Sequence, residues 1–192
     1  YAQLEDIYRQ HYVGLSDGID LGSGRLGADI RYFDASEQGA AEAGEVDNRA
    51  VSTRLRYRLG AHTWSGGYQS QFGDTPFTYL SGTNVYLFSQ YQISNFTETG
   101  ERVWHARYDY DFSDLGLPGL TFMLRYATGD QASVRGFDGE AREWERDVDI
   151  EYIVQGGMLE GLSLRWRNAS RRANFTRDAN ENRILLGYTL KL

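Results

Sequence analysis

Between Arg102 and Gly129 the sequence reads RVWHARYDYDFSDLGLPGLTFMLRYATG, two alternating runs joined by one turn. In the first run Trp104, Ala106, Tyr108, Tyr110 and Phe112 share one parity, and His105, Arg107, Asp109 and Asp111 the other. In the second, Leu120, Phe122, Leu124 and Tyr126 oppose Thr121, Met123 and Arg125. Successive side chains of a strand point to opposite faces, so this strict period of two predicts a β-hairpin with one apolar and one charged face. Ser113 to Gly119, holding Gly116, Pro118 and Gly119, supplies the reversal.

The rest of the chain resembles copies of that hairpin. Residues 4–15 read as a first strand, with Tyr8 and Tyr12 opposite His11, Val13 and Leu15. Leu26, Ala28, Ile30 and Tyr32 against Arg25, Asp29 and Arg31 mark a second. Val51, Thr53, Leu55, Tyr57 and Leu59 against Ser52, Arg54, Arg56 and Arg58 mark a third. After a tight reversal at Gly60, His62, Trp64, Gly66 and Tyr68 mark a fourth. Beyond the central hairpin, Val148, Ile150, Tyr152 and Val154 oppose Asp147, Asp149 and Glu151 in a seventh strand. Leu162, Leu164 and Trp166 oppose Ser163, Arg165 and Arg167 in an eighth, and a ninth runs from Ile184 to Leu192. Gly73 to Gly100 is the longest irregular segment, with room for a short strand or helix over Val85–Phe96.

Short turns are expected near 16–24, 60, 113–119 and 155–161, and long loops near 34–48, 73–100, 128–143 and 170–182. In an up-and-down meander alternate connections share a side, which puts the short ones at one end, as in outer-membrane barrels. The turns also predict register. If 112 pairs with 120, Arg107 faces Arg125; if 154 pairs with 162, Glu151 faces Arg165 and Asp149 faces Arg167. Opposed like charges are destabilising, and either Asp109 or a passing anion would relieve the first pair.

No position on the apolar face of the last five strands is charged, although 24% of the chain is, and over half of the opposing positions are charged or His. A soluble β-sandwich also has one apolar face. The strand repeat of about ten residues suits a tilted membrane strand. Trp104, Phe112, Tyr126 and Trp166 fall toward the ends of the apolar stripes, where an interfacial girdle sits. These features favour a transmembrane barrel. No apolar run approaches the ~18 residues of a spanning helix. The net charge of −7 argues against a nucleic-acid partner. With no cysteine, disulfides and thiolate chemistry are excluded. Tyr1-Ala2-Gln3 carries no signal-peptide pattern, so an exported chain is expected to have lost its signal already.

The segments RVWHARYDYDF…LGLPGLTFMLRYATGD, EWERDVDIEYIVQ, LRWRNASRRANFTRDANENRILLGYTLKL and EDIYRQHYVGL resemble the C-terminal half of the OprD-type substrate-specific porins, in order and over essentially the whole chain. The resemblance implies an all-β, antiparallel up-and-down outer-membrane barrel of about eighteen strands, a size that leaves a lumen. It implies that 1–192 is one segment of that barrel, that the N-terminal half is absent, and that the lumen passes small carboxylate-bearing solutes along an arginine ladder. By motif, Arg165 and Arg167 of LRWRN and Arg183 of ENRILL fall on that ladder. Arg107 and Arg125 share its face, with Arg54, Arg56 and Arg58 further along. Arginine stays charged and presents a planar fork matched to carboxylate.

The simpler reading of these arginines is internal ion pairing, and the two readings coexist. His11, His62 and His105 lack metal-ligand spacing, and Asp34–Asp47 lacks the spacing of a Ca²⁺ loop. No cofactor is expected, and an enzyme built on His105 and Ser163 is disfavoured because nothing gathers a third group beside them. The rival functions are a non-transporting barrel acting as adhesin or anchor, and a soluble β-sandwich binding protein. Nine readable strands is an odd number, against the even-numbered habit of bacterial barrels, so the chain is not expected to close into a pore alone. The alternative is a self-closed barrel of eight to ten strands.

Overall fold

The computed structural model describes residues 1–42, 44–79 and 87–189. Ten strands follow one another: β1 (Ala2–Leu4), β2 (Tyr8–Leu21), β3 (Gly24–Glu37), β4 (Asp47–Leu59), β5 (His62–Phe72), β6 (Arg102–Asp111), β7 (Leu120–Ala132), β8 (Ala141–Ile153), β9 (Leu162–Ala173) and β10 (Ala179–Tyr188). Each pairs antiparallel with the next, in one sheet whose spatial order is the chain order. Among the described residues β1 and β10 are the two ends of that order and do not pair with each other.

The expected strand count of nine is therefore corrected to ten, and the argument from an odd count falls. The first strand divides at Glu5–Ile7, where Asp6 takes a left-handed φ of 57°, leaving the short β1 against the start of β2. The strands are also longer than the alternation suggested. The Gly-, Asp- and Ser-rich stretch 16–24 is nearly all paired, and only Gly22 and Ser23 turn, with Leu21 opposite Gly24. Gly22 at φ 62° provides the left-handed residue of a two-residue hairpin. Likewise the expected loops 34–48, 128–143 and 170–182 shrink to 38–46, 133–140 and 174–178. Ladder hydrogen bonds to a formed neighbour strand outweigh the weak turn propensity of Asp, Ser and Asn. The difference between the two ends now rests mainly on the segment 73–101. Of the expected strand or helix at Val85–Phe96, residues 85 and 86 lie outside the described residues, and 87–96 is turn and irregular backbone. Positions 190–192 of the expected last strand also lie outside them.

Register follows the turns as expected. A 3₁₀ turn over Phe112–Leu115 is capped by the Asp111 carboxylate, which accepts from Ser113 N, and ends at Gly116 with φ 79°. It sets Arg107 opposite Arg125. The turn after β8 sets Asp149 opposite Arg167 and Glu151 opposite Arg165.

Burial separates the two faces in the sense opposite to a soluble sandwich. Leu15, Ile30, Leu55, Trp104, Leu124, Ile150, Leu164 and Ile184 are exposed. Along β8, meanwhile, Glu143, Glu145, Asp147 and Asp149 are all buried. A water-soluble sheet buries its apolar face; this one turns it outward, where a bilayer would cover it. Among the described residues no helix is long and apolar enough to cross a membrane. What apolar core exists is small and lies on the other side. Phe33, Ala50, Phe77 and Leu87 form one cluster, Phe96, Val103 and Ala127 another, and Tyr8, Ala35 and Val46 a third. The first two join the wall to segment 73–101.

Candidate functional site: an arginine-lined wall behind an inward loop

The charged face is lined by alternate residues of β3 to β10. One cross-strand row runs Arg56, Ser65, Arg107, Arg125, Asp147. The next runs Arg25, Arg58, Thr63, Asp109, Met123, Asp149, Arg167, Arg183. The five arginines expected from the sequence thus share one face, on β6, β7, β9 and β10. Two adjoining recesses lie along it. One of about 630 Å³ includes Arg54, Arg56, Arg58, Phe88, Tyr91 and Arg107 in its lining. The other, about 570 Å³, holds Arg58, Arg107, Asp149, Glu151, Arg165 and Arg167 among its walls.

Most of these arginines are ion-paired. Arg107 Nε donates to Asp109 Oδ2 at 2.8 Å, along its own strand. Arg125 reaches Asp147 at 2.6 Å, and Arg183 pairs with Glu181. Arg165 chelates Asp149, Nε to Oδ1 at 2.8 Å and Nη2 to Oδ2 at 2.5 Å, while Arg167 Nε shares that carboxylate at 3.3 Å. This corrects the expected Glu151–Arg165 pairing. The backbones face as expected, but the guanidinium reaches diagonally, because two donors on β9 share the more buried carboxylate. Further along, Arg54 binds Asp29 at 2.9 Å, with Ser16 Oγ donating to the other oxygen at 2.7 Å. Arg56 and Arg58 line the first recess and make no direct ion pair among the described residues; Asp29 and Asp111 act on them only through longer-range charge.

Residues 73–79 and 87–101 fold over this face and are pinned by side chains of the wall. Phe88 N donates to Ser52 Oγ at 3.1 Å, and Gln69 Nε2 to Phe96 O at 2.7 Å. Three successive inward carboxylates of β8 grip residues 92–94, two of them through the backbone. Gln92 N donates to Asp147 Oδ2 at 3.2 Å, Ile93 N to Glu145 Oε1 at 2.8 Å and Ser94 N to Glu145 Oε2 at 2.6 Å; Ser94 Oγ bonds Glu143. Arginines hold the loop's aromatic rings. Arg31 and Arg54 lie 4.1 and 4.2 Å from the Phe88 centroid, and Arg125 lies 4.2 Å from that of Tyr91 while donating to Gln90 O at 3.0 Å. Burial pushes the Tyr91 phenol up from its ordinary range. At the loop's foot the Glu101 carboxyl is pushed up to about 9, first by burial and then by the nearby charge of Glu143. Glu98 is raised by burial as well.

Sequence reasoning missed this seat. Glu143 falls in the expected loop 128–143, although EWERDVDIE carries the period-two signal back to it. The seating of Phe88 and Tyr91 has no periodic signature. His105 is held by the wall, its Nε2 3.1 Å from Thr53 O, and His62 Nδ1 lies 2.8 Å from Tyr108 Oη on the outward side. Among the described residues no group of three or more His, Asp or Glu is placed to hold a metal ion.

An antiparallel meander that turns apolar side chains outward and folds a long loop against its charged inner face is the wall of an outer-membrane β-barrel. Its relatives say which one. The model of the family described as outer membrane porin, OprD family, matches residues 1–192. Porin D of Pseudomonas aeruginosa is 35% identical over all of this chain and 49% of its own length. The porin-like protein GalP of Pseudomonas putida is 36% identical over all of the chain and 46% of its own. The crystal structure of P. aeruginosa OccK9 (OpdG) superposes with a TM-score of 0.93 at 47% identity, covering 97% of this chain and 48% of that one. The chain belongs to the OprD family of outer-membrane porins. It spans about half the length of the curated relatives it matches, and those relatives are channels rather than enzymes.

Proposed function

We propose that residues 1–192 form one segment, the C-terminal half, of a larger porin barrel that passes small carboxylate-bearing solutes along its arginine face. The remaining strands would pair with the edges at β1 and β10, since unpaired strand edges are not tolerated in lipid. The reading is that of a channel without catalytic chemistry. It rests above all on one observation. The inner wall carries Arg107, Arg125, Arg165, Arg167 and Arg183 in adjoining rows, and Arg56 and Arg58 on the same face make no direct ion pair among the described residues. The related structures of OpdK with vanillate and OccK2 (OpdF) with glucuronate, two carboxylates, support the class of solute.

The division of labour follows from pairing. Unpaired Arg56 and Arg58 set the local positive potential, which a narrow low-dielectric passage focuses, raising anion entry. The paired arginines keep donors free for a passing carboxylate, which exchanges against Asp109 or Asp149 from rungs about 7 Å apart. The test is liposome swelling by the intact porin, with matched carboxylate and amide solutes. Arg56→Gln with Arg58→Gln removes charge without orphaning a carboxylate. Carboxylate uptake should fall roughly tenfold, amide uptake should hold, and ion selectivity should move toward cations. Arg165→Ala with Arg167→Ala should act in the same direction, with heat-modifiable gel mobility as the folding control, because Asp149 loses both partners. Folded variants that keep the full carboxylate preference would refute the ladder. Folded wild-type protein without conductance steps would favour an anchor or adhesin.

A further inference from the structure

The outward face carries its own cationic feature, away from the channel wall. Toward the long-loop end of β8 and β9 the apolar stripe of Ile150, Val148 and Trp166 gives way to Arg146, with Tyr126 beside it on β7 and Trp144 next along β8. Arg146 sits on this outward face, between Tyr126 of β7 and Ser170 of β9 in the ladder. Its guanidinium is exposed, and Nη2 donates to Asn168 Oδ1 at 2.8 Å and Ser170 Oγ at 3.2 Å. Those bonds orient the group without neutralising it. Above it, Arg142 pairs with Glu140 and Arg172 with Asp178. Arg146 has no carboxylate partner among the described residues, and its Nε and Nη1 make no hydrogen bond. Beside it Arg172 lies over the Trp144 ring, 5.8 Å from the centroid, and donates to Asn180 Oδ1 at 3.1 Å. Below lie Val148, Ile150, Leu124 and Trp166 of the apolar band.

We propose that Arg146, oriented by Asn168 and Ser170 and flanked by Trp144 and Arg172, binds the phosphate of a phosphorylated glycolipid in the outer leaflet. An uncompensated cation at the edge of a hydrocarbon layer is costly, and an anionic headgroup is the counter-ion that a membrane surface offers at that depth. The headgroup phosphate takes the free donors of Arg146. The acyl chains lie along Leu124, Val148 and Ile150, and the Trp144 and Tyr126 rings occupy the interfacial level where such rings are enriched. Neither a free anion nor a second barrel uses all three elements, namely the lone cation, the aromatic rim and the apolar stripe beneath.

The test titrates the purified intact porin in detergent with bisphosphorylated lipid A, its dephosphorylated counterpart and inorganic phosphate, with occupancy read by native mass spectrometry. Saturable binding of the phosphorylated lipid alone is expected, weakened roughly fivefold by Arg146→Gln and less by Arg146→Lys. Asn168→Ala with Ser170→Ala keeps the cation and loses its orientation; an intermediate loss is expected, and this variant carries the test if Arg146→Gln does not fold. Arg177→Gln, in the nearby loop, should change nothing. Equal binding by wild type and Arg146→Gln, equal affinity for the dephosphorylated lipid, or saturable uptake of inorganic phosphate alone would overturn the proposal. A lipid-free oligomer abolished by Arg146→Gln would overturn it in favour of a protein partner.

Discussion

Replacing Glu145 with alanine should unseat the inward loop without unfolding the barrel. Glu145 is fully buried and accepts two backbone donors, Ile93 N at 2.8 Å and Ser94 N at 2.6 Å. A hydrogen bond to a charged group contributes about 1.5–3 kcal/mol, and a buried donor left without an acceptor costs a similar amount. Two lost bonds, partly recovered by entering water and by Asp147 and Glu143 on either side, leave a net weakening of about 3 kcal/mol. That is roughly a hundredfold shift in the ratio of seated to unseated loop. The β-ladder is untouched, because Glu145 contributes only its side chain. Single-channel recording of the intact porin should then show larger conductance or frequent transitions between levels. Limited chymotrypsin digestion should cut at Phe88, Tyr91 or Phe96, sites that the seated loop protects. Glu140→Ala, which removes an exposed carboxylate beside the same strand, is the control. Unchanged current noise together with unchanged protease protection in the Glu145→Ala protein would refute the reasoning.

Glu101 makes the loop's foot pH-dependent. Its carboxyl is pushed up to about 9 by burial, with Glu143, Glu98 and Asp130 adding repulsion. The folded state therefore holds a proton that the unfolded chain releases above its ordinary value near 4.5. Stability declines as pH rises through that window and levels off above about 9. Loop protection against chymotrypsin should fall between pH 6 and 9.5, and Glu101→Gln should flatten that slope. Gly67 lies where β4 and β6 approach, and a Cβ there would fall 1.9 Å from Thr53 O. Gly67→Ala should therefore sharply lower the yield of heat-modifiable folded protein. Leu124→Arg on the outward face should cost about 2–4 kcal/mol if that face meets the bilayer interior, seen in urea unfolding from vesicles. A neutral result there would count against the lipid-facing assignment.

The strand faces were legible because period two is a local property: Trp104 and His105 differ in direction whatever lies across the sheet. Register was legible at two turns, one marked by Gly116, Pro118 and Gly119 and the other by Gly156, Gly157 and Gly161, which is why Arg107 opposite Arg125 and Asp149 opposite Arg167 follow from spacing alone. Strand ends were not, because Asp17 and Ser16 join a ladder only when a neighbour strand is already formed to pair with them.

The amino-acid sequence by itself determined a two-faced meander whose apolar side suits lipid and whose arginines share the opposite wall. Only the tertiary structure decided which of those arginines keep a free charge and what lies across them. Arg165 chooses the diagonal Asp149 over Glu151, and Arg56 and Arg58 make no direct ion pair among the described residues, because such choices depend on side-chain reach and burial between strands. The inward seat of residues 87–101 is likewise decided by contacts far apart in sequence, from Glu145 to Ser94 and from Arg54 to Phe88. No periodicity within that segment encodes them. Alternation reports which way a residue points; the partner it meets depends on distances that exist only once the strands are side by side.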